Sequence, residues 1–155
     1  MKSDMKLFEI KQLTKDDLSI FNALINLFNL VFDEENPTVG SEANSQRLLD
    51  DDRFIVLVAL ADNEVVGGLT AYELQKYYSD TSEIFIYDLA VKPEYQRMGI
   101  GKGLIQNLKE HCLKYGIKEL FVMAHAEDEH AVEFYRATGG KSEKVVNFLY
   151  DASEE

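Results

Sequence analysis

The stretch from Glu83 to Lys114 constrains the fold of this chain more than any other part of its sequence. It opens with β-branched and aromatic side chains, Ile84–Tyr87, of the kind that a buried strand prefers. Pro93 follows and ends the strand, because proline has no N–H to donate to a sheet ladder. Apolar residues then recur at helical spacing, namely Leu104, Ile105, Leu108, Cys112 and Tyr115. The pattern therefore predicts a strand, a loop and a helix in that order.

The loop between this strand and this helix carries two closely spaced glycines, Gly99 and Gly101. Glycine lets the backbone approach a ligand, and a helix start offers unpaired N–H groups at the positive end of the helix dipole. Together they predict an anion site, most naturally for a diphosphate. A Walker A loop does not fit, because Leu104 stands where its hydroxyl residue belongs. A dinucleotide fingerprint does not fit either, because its glycines follow the strand almost directly, whereas Lys92–Met98 intervene here.

Composition and charge narrow the class of protein. With 155 residues, 46% of them hydrophobic and 28% charged, the chain is long enough for one globular domain with a core. No apolar run spans a bilayer, no export segment follows Met1, and the single Cys112 fits a reducing compartment, so we expect a cytoplasmic protein without a membrane partner. The net charge of −12 argues against nucleic acid as a partner. That charge either concentrates cationic ligands or serves solubility alone.

The rest of the chain alternates strand and helix patterns. The predicted strands are 6–13, 53–61, 65–74, 119–124 and 142–150, and the predicted helices are 14–32, a short one between 39 and 52, and one around 131–135. Gly67 and Gly68 indicate a bulge or a close backbone approach in the third strand. A helix joins the central strand to the next one, which predicts that these two strands are parallel. We expect one α/β domain, residues 1–155, around a central, partly parallel sheet.

Two motifs together resemble a known family. Gln96, Gly99 and Gly101 match the pattern Gln/Arg-x-x-Gly-x-Gly/Ala, and residues 131–139 have the sequence A-V-E-F-Y-R-A-T-G. With the strand and helix around the loop, these motifs resemble the GNAT superfamily of N-acetyltransferases. Residues 82–91 are similar to the aminoglycoside 3-N-acetyltransferases of that superfamily. The resemblance implies a single domain with a central mixed sheet, flanked by helices, whose two parallel middle strands splay apart to hold acetyl-CoA.

The resemblance also implies which residues contact acetyl-CoA. The pantetheine arm would run beside the end of the central strand, and the loop and first helical turn would hold the diphosphate by backbone N–H groups. Arg97 and Lys102 add positive charge there, or are solvated surface cations. The implied set is Leu89, Ala90, Val91, Gln96, Arg97, Met98, Gly99, Ile100, Gly101, Lys102 and Gly103. No metal is expected, since His125 and His130 are five residues apart and no cysteine joins them.

Three residues are candidates for proton transfer. Asp88 lies inside a strand, where a carboxylate is costly without a partner, so it either makes a structural hydrogen bond or faces the acceptor amine and removes its proton. Glu83 is the second candidate for the base, because the commoner family position, six residues before Val91, holds Phe85 here. Tyr135 occupies the position of the family's usual general acid, which returns a proton to the CoA thiolate, and its alternative role is packing.

The implied function is transfer of an acetyl group to a primary amine of a small cationic acceptor, with the 3-amino group of an aminoglycoside as the named candidate. Transfer would be direct, in a ternary complex without an acyl-enzyme. Tyr87, Asp128 and Glu129 would contact the acceptor. His125 and Leu149 stand where the aminoglycoside enzymes tend to carry Asp, which weakens the grip on a polycation.

Two alternative functions remain open at this point, and the oligomeric state remains open as well. One is acetylation of a protein N-terminus or lysine, and the other is a non-catalytic acyl-CoA-binding regulatory module. The carboxylates at 33–35 and 50–52 are solvated charges, or else one wall of a site for a polyamine-like substrate. The family resemblance makes a homodimer plausible.

Overall fold

A five-stranded mixed sheet organises the first part of the computed structural model, which describes residues 7–32, 35–36 and 40–153. The strands are β1 (Glu9–Gln12), β2 (Phe54–Ala61), β3 (Glu64–Gln75), β4 (Ser82–Val91) and β5 (Glu119–Val122), in the spatial order β1-β2-β3-β4-β5. The first four strands pair antiparallel, and β5 pairs parallel with β4. The prediction of a mixed sheet with a parallel pair at the helical crossover is confirmed.

The chain divides into two compact units, Met1–Met123 and Ala124–Glu155, and the sheet lies in the first. The helices of the first unit are α1 (Leu18–Val31), α2 (Glu42–Leu49) and α3 (Ile100–Tyr115), with a short 3₁₀ turn at Pro93–Tyr95. Lys6 of the predicted first strand, and Asp33 and Glu34 of the predicted acidic group, lie outside the described residues.

Two adjacent glycines of β3 show how helices cover both faces of the sheet. A Cβ at Gly68 would lie 2.5 Å from Leu24 Cδ1 of α1 and 2.7 Å from the carbonyl oxygen of Leu57. A Cβ at Gly67 would lie 3.2 Å from Ile100 Cγ2, at the start of α3. Neighbouring residues of a strand point to opposite faces, so α1 and α3 pack on opposite faces of the sheet. The close backbone approach predicted for these glycines is confirmed.

Strands β4 and β5 pair over only part of their length. The parallel register joins Glu83–Ile86 to Glu119–Val122, whereas β4 continues to Val91. From Tyr87 onward, β4 therefore has no partner on its β5 side among the described residues. β4 therefore extends beyond the end of β5, and its edge is unpaired in the segment where the family resemblance implies an opening.

The core takes large apolar side chains from the helices and the strands on both faces. Fully buried examples are Leu24, Leu57, Leu69, Ile84, Leu104 and Leu108. Each such side chain contributes about 1.5–3 kcal/mol when it leaves water. Cys112 of α3 is also buried, as its helical spacing predicted, and burial raises the pKa of its thiol. A buried, protonated thiol is a poor nucleophile, which agrees with a packing role for this residue.

The second unit contains one helix, α4 (Glu129–Ala137), among its described residues. Asp128 begins it, because its side chain accepts a hydrogen bond from the N–H of Ala131 at 3.2 Å. The helix ends in a glycine turn, where Gly139 has a positive φ of 104° and the N–H of Gly140 donates to the carbonyl of Tyr135 at 2.9 Å. The helix predicted around this motif is confirmed.

The prediction of a strand over residues 142–150 is wrong. Residues 140–151 carry neither helix nor strand, and their side chains are exposed. Val145, Phe148 and Tyr150 are β-prone by composition, yet a strand exists only where a neighbouring strand pairs with it. The side-chain composition of residues 142–150 favours a strand, but no strand among the described residues pairs with this segment.

Candidate functional site

The loop between β4 and α3 has an unusual backbone conformation at two positions. Arg97 has φ +64° and Gly99 has φ +85°, both in the left-handed region. No heavy atom lies within 4 Å of the place where a Cβ on Gly99 would be, so glycine is favoured there for its φ and not for lack of space. The side chain of Gln96 donates a hydrogen bond to the carbonyl of Val91 at 3.1 Å. The loop is thereby fixed to the last residue of β4.

The start of α3 presents unpaired backbone donors. The first hydrogen bond of the helix runs from the N–H of Gly103 to the carbonyl of Gly99, at 2.9 Å. The N–H groups of Ile100, Gly101 and Lys102 precede that bond and have no carbonyl within the helix to accept from them. The positive end of the helix dipole lies at the same place. These three amides can hold an anion, as the sequence predicted for this loop.

The predicted diphosphate residues differ in what they contribute. The side chains of Arg97 and Lys102 are exposed and add positive charge near the three free amides, whereas Met98 and Gln96 are exposed without a charge. The glycine at position 103 is explained by helix packing and not by diphosphate binding. Its N–H is already bonded within α3, and a Cβ there would lie 3.4 Å from the ring of Phe8.

A β-bulge re-aims the end of β4. Asp88 pairs with Thr70 of β3, and the next pair is Ile86 with Ala71, so Tyr87 is an extra residue on β4. An extra residue of this kind bends the strand and changes the direction of the side chains beside it. Tyr87 and Asp88 consequently line the same cavity on the α1 side of the sheet.

That cavity has a volume of about 440 Å³, within the range of small-molecule sites. It is lined by α1, β2, β3 and β4, with the residues Phe21, Ile25, Phe28, Asn29, Phe32, Phe54, Thr70, Tyr72, Tyr87 and Asp88. Apart from Tyr87 and Asp88, the sequence did not predict these as site residues. Alternation along β3 was the available signal, since Gly68, Thr70 and Tyr72 share one face.

The cavity combines one carboxylate with aromatic walls. The ring of Tyr72 contacts those of Phe54 and Tyr87, with centroids 5.0 Å and 5.8 Å away. Burial raises the pKa of the Tyr72 phenol, and the neighbouring Tyr87 and Asp88 raise it further. Tyr72 therefore stays protonated at neutral pH and can donate a hydrogen bond inside the cavity. An anionic carboxylate among aromatic faces is suited to a cation.

Glu83 is separated from this cavity along β4. It lies at the start of the strand, where it pairs with Glu119 of β5 and Leu74 of β3, whereas Asp88 lies five residues further on. Five residues of strand span roughly 16 Å. Lys76 forms an ion pair with Glu119 at that end, and this partner raises the pKa of Lys76. The two candidate bases thus belong to different environments, and only Asp88 lines the cavity.

The remaining predicted residues belong to the second unit. Tyr135 is half-buried on α4, with its ring 5.1 Å from that of Phe134. Asp128 caps α4 through Ala131, and Glu129 is exposed in the first turn, where a negative charge favours the helix dipole. The capping hydrogen bond gives Asp128 a structural role at the start of α4.

Within residues 7–32, 35–36 and 40–153, no group of three or more His, Cys, Asp or Glu side chains is arranged to hold a metal ion. None of the helices in the same ranges is both long and apolar enough to cross a membrane.

Comparison with curated proteins identifies acetyltransferases. The ribosomal protein bS18-alanine N-acetyltransferase of Escherichia coli (strain K12) is 29% identical over 88 residues, 57% of this chain and 58% of that protein. The chain thus spans less than two thirds of that relative's length. The aminoglycoside N(6')-acetyltransferase type 1 of Stenotrophomonas maltophilia is 29% identical over 111 residues, 69% of this chain and 72% of that protein.

Solved structures match a larger share of this chain than these two relatives do. An aminoglycoside acetyltransferase from an uncultured soil metagenomic sample, in complex with trehalose, is 40% identical, with a TM-score of 0.93, and covers 97% of this chain and 100% of that chain. The same enzyme in complex with sisomicin is 40% identical with a TM-score of 0.92, over 95% of this chain and 97% of that one. The model of the Acetyltransferase (GNAT) family matches residues 21–139, more than half of the sequence. This chain therefore belongs to the GNAT acetyltransferase family.

Proposed function

We propose that this protein is an acetyl-CoA-dependent N-acetyltransferase whose acceptor is a small cationic amine. One observation carries the proposal. Asp88 lines an aromatic cavity at the point where β4 leaves β5, and the same strand leads through Leu89–Val91 to the free amides of α3. A cation site and an anion site thus lie along one continuous stretch of backbone. Family membership and the names of the similar structures support this function.

The donor half of the site uses the loop and the open edge of β4. The amides of Ile100, Gly101 and Lys102 would hold the diphosphate, with Arg97 and the Lys102 side chain adding charge. The backbone of Leu89–Val91 would lie beside the pantetheine arm, as an added strand does. Acetyl-CoA supplies an acetyl group activated as a thioester. Backbone N–H groups on this edge would polarise the thioester carbonyl.

The acceptor half provides charge and proton transfer. Asp88 attracts the ammonium group and takes its proton, directly or through a water molecule, since only the neutral amine attacks the thioester. The new N–C bond forms as the C–S bond breaks. In this proposal Tyr135 returns a proton to the leaving sulfur. Cys112 is buried with a raised thiol pKa, which favours direct transfer in a ternary complex over an acyl-enzyme.

An aminoglycoside is the candidate acceptor that the comparisons favour. The similar soil structure is named as an aminoglycoside acetyltransferase and was solved with sisomicin. The sequence resemblance favours the 3-amino group, whereas the name of the Stenotrophomonas relative favours the 6'-amino group. Acetylation at either position removes one positive charge and would weaken the hold of an aminoglycoside on RNA phosphates. Antibiotic resistance is the physiological role that this chemistry suggests.

A protein N-terminus is the second candidate, because the Escherichia coli relative is named for a ribosomal protein alanine. A peptide acceptor needs a long open groove for its backbone. The cavity at Asp88 is instead bounded by α1 and three strands, which favours a small acceptor.

Release of free CoA thiol, with acetyl-CoA held saturating, tests the proposal. The acceptors are sisomicin, spermidine and a hexapeptide with an N-terminal alanine. We expect turnover with sisomicin, with spermidine slower and the peptide silent, and mass spectrometry and NMR of the product identify the modified amine. Turnover of the peptide alone would support the protein acetyltransferase. Tight CoA binding without turnover of any acceptor would indicate a non-catalytic acyl-CoA-binding module.

A further inference from the structure

Aromatic residues form one row across four strands of the sheet. Phe54 of β2 pairs with Tyr72 of β3, Tyr72 pairs with Phe85 of β4, and Phe85 pairs with Phe121 of β5. Three interstrand spacings of about 4.8 Å make this row roughly 14 Å long. The row has no signature in the sequence, because its four residues lie far apart in the chain.

The rings of this aromatic row are in contact along its length. Phe54 and Tyr72 are 5.0 Å apart between centroids, and Phe85 and Phe121 are stacked at 5.0 Å with planes 12° apart. Tyr87 joins the two pairs, because its ring lies 5.8 Å from Tyr72 and 5.9 Å from Phe85. The bulge that turns Asp88 toward the cavity therefore also supplies the aromatic link.

The row continues beyond the cavity that contains Asp88. Phe54, Tyr72 and Tyr87 line that cavity, whereas Phe85 and Phe121 do not. Tyr87 is 62% exposed and Phe121 is 39% exposed, so aromatic surface remains open from the cavity to the edge strand. An acceptor amine bound at Asp88 would extend its remaining structure over this surface.

We propose that Phe85 and Phe121 form a second acceptor subsite, which takes the apolar face of an additional ring of a cationic amine whose reacting group lies at Asp88. The inference rests on the proposed function and narrows its substrate class to amines carried on two or more linked rings. The C–H face of an aminosugar or aminocyclitol packs on an aromatic ring, and nearby ammonium groups gain from the negative ring face. A linear polyamine would fill the cavity alone and would gain nothing from this subsite.

The test compares acceptors of different size with matched variants. Sisomicin is the acceptor with several linked rings. The one-ring probes are 2-deoxystreptamine, which carries the ring amine that corresponds to the 3-amino group, and 6-amino-6-deoxyglucose, which carries the amine that corresponds to the 6'-amino group. Phe121→Leu should raise the KM for sisomicin about three- to tenfold without changing kcat, and should leave both one-ring KM values unchanged. Phe121→Tyr keeps the ring and should behave as the wild type. Tyr77→Leu is the control, since Tyr77 is 98% exposed and lies outside the row.

Other outcomes overturn the inference and are distinguishable from failure of the proposed function. An unchanged sisomicin KM in Phe121→Leu, or an equal rise for the one-ring probes, would remove the subsite while leaving acetyl transfer intact. If no acceptor is turned over, the proposed function fails, and calorimetric titration of sisomicin into the CoA-bound protein still tests the subsite. The inference then requires weaker sisomicin binding in Phe121→Leu, and equal binding would contradict it. Where Phe121→Leu lowers the melting temperature by several degrees, Phe85→Leu is the replacement variant.

Discussion

Thr70 of β3 and Asp88 of β4 are paired on adjacent strands, and the next pair is Ala71 with Ile86. One residue of β4, Tyr87, therefore has no counterpart on β3. This offset lets Tyr87 and Asp88 line one cavity, although neighbouring residues of a regular strand point to opposite faces. It occurs where β4 also loses its β5 partner. The bulge and the end of the β5 pairing together place the proposed acceptor and donor sites along one segment of the chain.

Replacing Gly99 tests whether the loop binds CoA, separately from any effect on the stability of the fold. Its φ of +85° makes Gly99→Ala cost about 1 kcal/mol of backbone strain or force the loop to shift, although no atom obstructs the new methyl group. We expect about a tenfold weaker CoA affinity by calorimetry, because the amides of α3 would lose their alignment. Gly116→Ala is the matched control, with φ +69° and equally open space at the other end of α3. Equal affinity in the two variants would contradict a role for this loop in CoA binding.

Tyr135 is the proposed general acid, a role that rests on the family resemblance. Tyr135→Phe removes the hydroxyl and retains the ring beside Phe134. We expect kcat to fall about 10²- to 10⁴-fold, as for loss of a positioned acid, with the affinity for acetyl-CoA unchanged. Tyr115→Phe serves as the control, since Tyr115 is an exposed tyrosine at the end of α3. A rate equal to that of wild type would assign Tyr135 to packing.

Asp17 predicts how stability depends on pH. The backbone N–H of Thr14 donates to its carboxylate at 2.7 Å, which is the main cause of its lowered pKa, and Lys11 also contributes at 3.1 Å. A folded pKa below the unfolded value of about 3.9 means that the stabilisation is fully present above that value. It is lost as the pH falls through the folded pKa.

Asp17→Asn should therefore destabilise the fold by about 1 kcal/mol at pH 7 and make unfolding less sensitive to pH below about 3.9, where the wild-type carboxylate becomes protonated. Urea denaturation at a series of pH values measures both effects. Asp16→Asn is the control, since Asp16 is an exposed carboxylate in the same turn. A pH dependence that Asp17→Asn leaves unaltered would place the sensitive carboxylate elsewhere.

Gly68 tests the packing of α1 on the sheet. An alanine methyl group there would meet Leu24 Cδ1 at 2.5 Å and the backbone oxygen of Leu57 at 2.7 Å, and the backbone atom cannot easily move away. Gly68→Ala should cost about 1–3 kcal/mol, as overpacking of a core does, measured by thermal or urea denaturation. Gly40→Ala meets only the flexible side chain of Asn44, at 3.2 Å, and should be nearly neutral. Equal stability of the two variants would be inconsistent with this packing.

The sequence predicted the features whose signal is local. The order β4, loop and α3 follows from apolar periodicity, Pro93 and the two glycines, which all lie within one stretch of 32 residues. Asp88 was also predictable as a site residue, because a carboxylate inside a strand is unusual. The bulge at Tyr87 was not predictable, because it is defined by the register of β4 against β3.

Residues whose role depends on distant parts of the chain were missed or misassigned. Phe28, Asn29 and Tyr72 reach the cavity only because α1 packs over the end of β3. The strand predicted at residues 142–150 failed for the related reason that apolar composition does not provide a pairing partner.

The central claim is that Asp88 deprotonates the acceptor amine, and the steady-state rate of Asp88→Asn with sisomicin at saturating acetyl-CoA tests it most directly. The substitution keeps the shape of the side chain and removes its charge. We expect kcat to fall about 10²- to 10⁴-fold, with the CoA affinity within about twofold of wild type. Glu83→Gln is the matched control and should stay within about threefold, because Glu83 lies at the other end of β4. A normal rate in Asp88→Asn, or a larger loss in Glu83→Gln, would contradict the account.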